Sequence, residues 1–118
     1  MSTIAVVLVA LVALLHGYFL VLEMFLWTKP AGRRAFGTTQ EQAEQSKVLA
    51  MNQGLYNGFL AAGLLWGLLL GAAGRGVVLF FLSCVIIAGV FGAVTASRKI
   101  LYVQALPGVL ALVAWMVQ

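Results

Sequence analysis

The sequence predicts an all-α fold, a four-transmembrane-helix bundle with both termini on the non-cytoplasmic side. Three observations predict it. Of 118 residues, 64% are hydrophobic and 8% charged, far from the roughly one-quarter charged of soluble domains. The apolar residues fall into four runs of about 20, the length that crosses a bilayer. The cations gather at the ends of those runs, where topology accounts for them. Such a chain has room for one membrane domain, residues 1–118, and for no large extramembrane catalytic or binding domain.

The first span is read over about residues 4–28. It closes on Trp27, Lys29 and Pro30, an aromatic anchor, a snorkelling cation and a helix stop. The only truly polar segment follows, "PAGRRAFGTTQEQAEQSK". Within it Thr39 and Gln42 have capping-box spacing, so a helix should start before the membrane and continue into it. The second span covers about 48–72 and ends in the turn "GAAGRG" around Arg75. The third covers 77–96 and closes on "SRK". The last covers 100–117 and contains Pro107, which should kink it or start its regular part late. The N-terminal run lacks a basic leader region and a small-residue cleavage site, so it is expected to remain in the mature protein.

The loops after spans one and three carry Lys29, Arg33, Arg34, Lys47, Arg98 and Lys99, and the opposite side carries Arg75. By the positive-inside rule the long loop faces the cytoplasm. The asymmetry argues against a chain that inserts both ways. The net charge of +4 is thinly spread and has no interleaved aromatics, so nucleic acid is not an expected partner; the lipid bilayer is.

Small residues mark where helices can touch. Gly54, Gly58 and Ala62 recur every fourth residue on one face of span two, and Gly63, Gly67 and Gly71 on nearly the opposite face. Ala88, Gly92 and Ala96 repeat the spacing on span three. Span two can therefore pack on both sides, and one glycine face is available to a homodimer.

The stretch "HGYFLVLEMFLW" places His16 and Glu23 inside the oiliest run. Seven residues apart, they share a helix face about 10 Å from each other. An ionised glutamate about a turn inside the hydrocarbon costs a few kcal/mol, so it should face the bundle interior and be paired, hydrated or protonated. By depth its partners are Asn52, Gln53, Tyr56 and Asn57 from "NQGLYN", with Thr95, Ser97, Arg98, Lys99, Tyr102 and Gln104 returning to the same side. Two readings compete. In one, these residues are interhelical glue worth about 0.6 kcal/mol per bond. In the other, His16, Glu23, Asn52, Gln53, Tyr56, Asn57 and Tyr102 line a cytoplasm-facing pocket for a small cationic or amphipathic ligand.

No phosphate cradle, metal-ligand spacing or nucleophile with an adjacent base is present in the sequence, so neither a metal nor a cofactor is expected. The lone Cys84 reads as a small packing residue. Three functions stay open: a ligand binder or transporter, in which a dimer would complete the pathway; a membrane-embedded enzyme using His16 and Glu23 for proton transfer on a lipid-soluble substrate; and a structural or accessory subunit.

"HGYFLVLEMFLW", a short basic loop, then "NQGLYNGFLAAGLLWG" together resemble the small bacterial membrane-protein family of domain of unknown function 1304, across essentially the whole chain. The resemblance implies a four-span inner-membrane protein. It also implies that His16, Glu23, Trp27, Asn52, Gln53, Tyr56 and Asn57 are characteristic family positions. It implies no activity.

Overall fold

Helix α1 (Thr3–Met24) is apolar almost throughout, and at 22 residues it is about 33 Å long. Its buried residues, Ala5, Val9, Val12, Ala13, His16, Leu22 and Glu23, keep mostly to three-, four- and seven-residue spacings and form one stripe. The helix stops before the expected Thr28. The N–H groups of Phe25 and Leu26 both reach the Val21 carbonyl, at 3.0 and 3.2 Å, and a turn from Lys29 to Leu26 reverses the chain. Pro30 does not simply end a helix. It opens a second one, α2 (Pro30–Phe36), at a position where its missing N–H would have had no partner anyway. Gly37, at φ 66, ends α2 in the left-handed conformation that favours glycine.

Helix α3 (Gln40–Leu69) begins on the expected capping box. The Thr39 N–H donates to Gln42 Oε1 at 2.9 Å and the Gln42 N–H to Thr39 Oγ1 at 3.1 Å, satisfying two orphan donors of the first turn. After α3 the chain turns at Gly71, φ 64, passes a short 3-10 segment (Gly71–Gly74) and enters α4 (Arg75–Thr95). The last apolar run opens as a π-turn (Leu101–Ala105) before α5 (Leu106–Val117). Pro107 explains the late start: without an N–H it cannot bond the carbonyl four residues back, and its ring crowds that carbonyl.

The computed structural model describes residues 1–118, with five α-helices and no strand. Two segments, Thr3–Met24 and Gly71–Thr95, are long and apolar enough to cross a membrane. Helix α3 is longer, but its run of residues 52–57, "NQGLYN", lowers its hydropathy. The final run is shorter, Leu101–Val117.

By internal contacts the chain forms two units, Met1–Leu14 with Leu60–Gln118, and Leu15–Phe59. The first has an apolar core of Val9, Leu64, Val78, Leu82, Val85 and Trp115, all fully buried. Gly63 faces the Phe81 ring and Gly67 faces Val78. A Cβ on Gly89 would stand 2.7 Å from the Ala105 nitrogen, so only glycine allows α4 this close to the π-turn. Arg75 donates to the carbonyls of Trp115 and Met116, each at 3.2 Å, and Trp115 Nε1 donates back to the Arg75 carbonyl at 3.2 Å. A cation thus caps the C-terminal end of α5, where the helix dipole is negative. The Ser2 N–H donates to Gln118 Oε1 at 2.8 Å, so both termini lie together.

In the second unit, the end of α1, helix α2 and the start of α3 form an elbow. Trp27 stacks at 4.8 Å on Phe36 and donates through Nε1 to Ser46 Oγ at 3.1 Å. Gly32 is buried against the Leu26 carbonyl with no room for a side chain. Buried Ala43 and Ala50 continue into Gly54 and Gly58, giving α3 a smooth seam on which α1 rests.

Candidate functional site

That seam sets the site. A Cβ on Gly54 would lie 2.6 Å from Met24 Cγ and 3.1 Å from Glu23 Cβ, and one on Gly58 would lie 2.5 Å from Leu20 Cδ1. The two glycines therefore let the α3 backbone approach α1 at the level of Glu23. Asn57 is three residues from Gly54 and adjacent to Gly58, so it shares the seam. Its Nδ2 donates to Glu23 Oε1. Glu23 is 4% exposed, so this is a buried pairing of an acid with an amide.

His16 occupies the same stripe of α1 two turns away and is fully buried. The Phe19 ring lies 5.3 Å from it at 73°, an edge-on contact. Seven residues of helix put His16 and Glu23 about 10 Å apart, too far for direct contact.

The remaining expected residues are placed differently. Asn52, Gln53 and Tyr56 are exposed on α3, away from the Gly54–Gly58 seam, and Tyr56 stacks on Phe59 at 6.1 Å. Tyr102 is exposed and belongs to the other unit, as do Arg98 and Lys99. Of the packing glycines, Gly54, Gly58, Gly63, Gly67 and Gly92 meet side chains of a neighbouring segment, Gly92 against Ile100. Gly71 serves as a turn residue with open space around it, and Ala62 is exposed where its neighbour Ala61 is buried.

Sequence reasoning missed the Trp27–Ser46 bond. Its signal was weak, since Trp27 reads equally well as an interfacial anchor and Ser46 as a loop residue. It also left Arg75 as a lone charge, because nothing local announces a contact forty residues away.

Chemically the pair offers acceptors. With one N–H of Asn57 Nδ2 committed to Glu23, the carboxyl oxygens and the amide oxygen of Asn57 are left to receive donors, and the second N–H of Nδ2 to give one. No group of three His, Cys, Asp or Glu side chains is placed to hold a metal ion.

A family model described as "Protein of unknown function (DUF1304)" matches residues 10–116. The chain belongs to the DUF1304 family. The chain is also similar to the "Uncharacterized protein YpaA" of Lactococcus lactis subsp. lactis (strain IL1403), 32% identical over 116 residues, which covers 97% of this chain and 98% of that protein. The family match begins before His16 and ends beyond Tyr102, so every candidate site residue of this DUF1304 chain lies inside it. No solved structure matches the chain.

Proposed function

We propose that this chain is a four-span protein of the bacterial plasma membrane, with both termini outside, and that Glu23 and Asn57 bind a small cationic ligand that carries N–H donors. The carrying observation is an inversion of polarity on α1. Ile4, Val7, Leu11, Leu14, Tyr18, Val21 and Phe25 are exposed along one side, while His16 and Glu23 are buried. In water that arrangement is unfavourable on both faces; in lipid the outer face is solvated and the buried acid becomes a functional feature. The apolar Phe80, Ile87, Phe91 and Val94 of α4 are likewise exposed. The proximity of Ser2 and Gln118 supports an even number of crossings.

A cation suits the site because most of its free polar atoms are oxygens and one belongs to an acid, and an amphipathic one suits access from the bilayer. A homodimer would extend the site into a pathway. The test is binding of dansylcadaverine, a lipophilic primary amine, to the purified full-length protein in a neutral detergent. Saturable binding is expected, weaker by tenfold or more in Glu23→Gln and several-fold in Asn57→Ala, with little binding of the uncharged dansyl amide. Equal binding by wild type and Glu23→Gln would overturn the reading.

A second reading has its own observation. The Glu23–Asn57 bond also fixes the register of α1 on α3, as a structural subunit would need. In that case Glu23→Gln lowers stability, whereas a ligand site often leaves stability unchanged or raised on substitution.

A further inference from the structure

The elbow of the second unit carries four cations, Lys29, Arg33, Arg34 and Lys47. Folding gathers them. Trp27 binds Ser46 through Nε1, which brings the segment around Lys29 to the turn of α3 that bears Lys47. Arg33 is half-buried and its Nε donates to the Thr28 carbonyl at 3.3 Å, so its guanidinium is held at the chain reversal. Lys29, Arg34 and Lys47 are exposed.

The carboxylates of this unit offset the patch only in part: four cations stand against two exposed carboxylates, Glu41 and Glu44. Glu23 is buried against Asn57. Glu41 and Glu44 lie six and three residues before Lys47, about 9 and 4.5 Å further from the apolar part of α3, and Gln40 Nε2 donates to Glu44 Oε1 at 2.8 Å. The surface nearest the apolar run is therefore cationic. Close to the cations in sequence are exposed apolar side chains: Phe25, four residues before Lys29, and Val48 and Leu49, immediately after Lys47.

Cations next to exposed hydrocarbon define an amphiphilic ligand with an anionic head. We propose that this elbow binds an anionic phospholipid, its phosphate among Lys29, Arg33, Arg34 and Lys47 and its acyl chains along Phe25, Val48 and Leu49. The apolar half of the surface selects a lipid over a soluble phosphate. The proposal rests on the membrane placement above and is independent of the ligand site at Glu23.

The test uses the full-length protein in neutral maltoside detergent, offered equal amounts of dioleoyl phosphatidylglycerol and dioleoyl phosphatidylcholine, with retained lipid read by native mass spectrometry. Wild type is expected to retain phosphatidylglycerol in preference, with each cation contributing up to about fivefold. The Lys29→Gln, Arg34→Gln, Lys47→Gln triple variant is expected to show no preference. The charge-keeping variant Lys29→Arg, Arg34→Lys, Lys47→Arg should behave as wild type, and Arg98→Gln, Lys99→Gln should keep the preference. If the triple variant does not fold by circular dichroism, the three single variants carry the same reading, each with a reduced preference. Three results overturn the proposal: no preference in wild type, an undiminished preference in the glutamine variants, or displacement of the bound lipid by excess inorganic phosphate. Because Glu23→Gln should leave the lipid preference intact, failure here and failure of the cation site are separately visible.

Discussion

Glu23 and Asn57 meet because Gly54 has no side chain. A Cβ there would press on Met24 Cγ, on Glu23 Cβ and, at 3.3 Å, on the Leu20 carbonyl. The Met24 side chain can swing aside, but the Leu20 carbonyl is backbone and the Glu23 Cβ is fixed by the backbone it is attached to, so neither can. Gly54→Val is therefore expected to push the helices apart, destabilise the protein by about 1–3 kcal/mol and separate the acid from its amide. Gly17 has nothing within 4 Å of a Cβ, and Gly17→Ala should be neutral or stabilising by up to about 1 kcal/mol. Unfolding in mixed micelles measures both, and a Gly54→Val protein as stable as wild type would contradict the seam. The same glycines show how far the site was legible. The seven-residue spacing of His16 and Glu23 correctly placed both on one buried stripe. On α3 the depth of each polar residue was readable, but its face was not, because Asn52, Gln53, Tyr56 and Asn57 stack in two overlapping pairs. The small residues decide the face, and Asn57 is the polar residue that falls beside them.

At the scale of elements, local hydrogen bonding was the most readable feature and proline the least. The Thr39–Gln42 box is a purely local pattern, and both of its bonds form. Thr39→Ala removes the acceptor for the Gln42 N–H and should cost about 1 kcal/mol. The loss should appear as faster amide exchange in the first turn of α3, with exchange beyond Gly54 unchanged; uniform acceleration would mean that the box supports more than its own turn. Pro30, read from the sequence as a helix stop, instead starts a helix, and the reason is physical. A proline cannot continue a helix but is well placed to start one, and the outcome depends on whether the next residues can hold helical form. Seven residues are too few to do so alone. Helix α2 persists because Trp27 stacks on Phe36 and because Gly32 sits against the Leu26 carbonyl, contacts that no local pattern displays. Pro107 was the easier case, since its effect on its own helix, the π-turn at Leu101–Ala105, follows from its missing donor and its ring, both local.

On the proposed membrane placement, charge together with the hydrogen bonds at the termini leads to a definite expectation for how the whole molecule lies. Composition made the all-α class legible, because so apolar a chain must satisfy its backbone internally and helices do this within one segment. The number of crossings was less legible, since the polar run in α3 and the π-turn before α5 leave two segments, Thr3–Met24 and Gly71–Thr95, that qualify on length and hydropathy. The end of the first unit adds what hydropathy lacks. Ser2 bonds Gln118, and Arg75 at the start of α4 holds the last carbonyls of α5, so the beginning of α1, the beginning of α4 and the end of α5 share one level. Helix α1 then carries the chain about 33 Å, to the turn that precedes Lys29, Arg33 and Arg34. In the proposed topology those cations are cytoplasmic, the termini and Arg75 are expected outside, and α3 is expected to return between Lys47 and Arg75 despite its asparagines. In a Cys84→Ser background, Gln45→Cys should react with a membrane-impermeant maleimide only from the cytoplasmic side, and Gln118→Cys only from the outside. Labelling of both from one side would mean that α1 does not cross, and labelling of each from both sides would mean that the cation bias does not fix orientation.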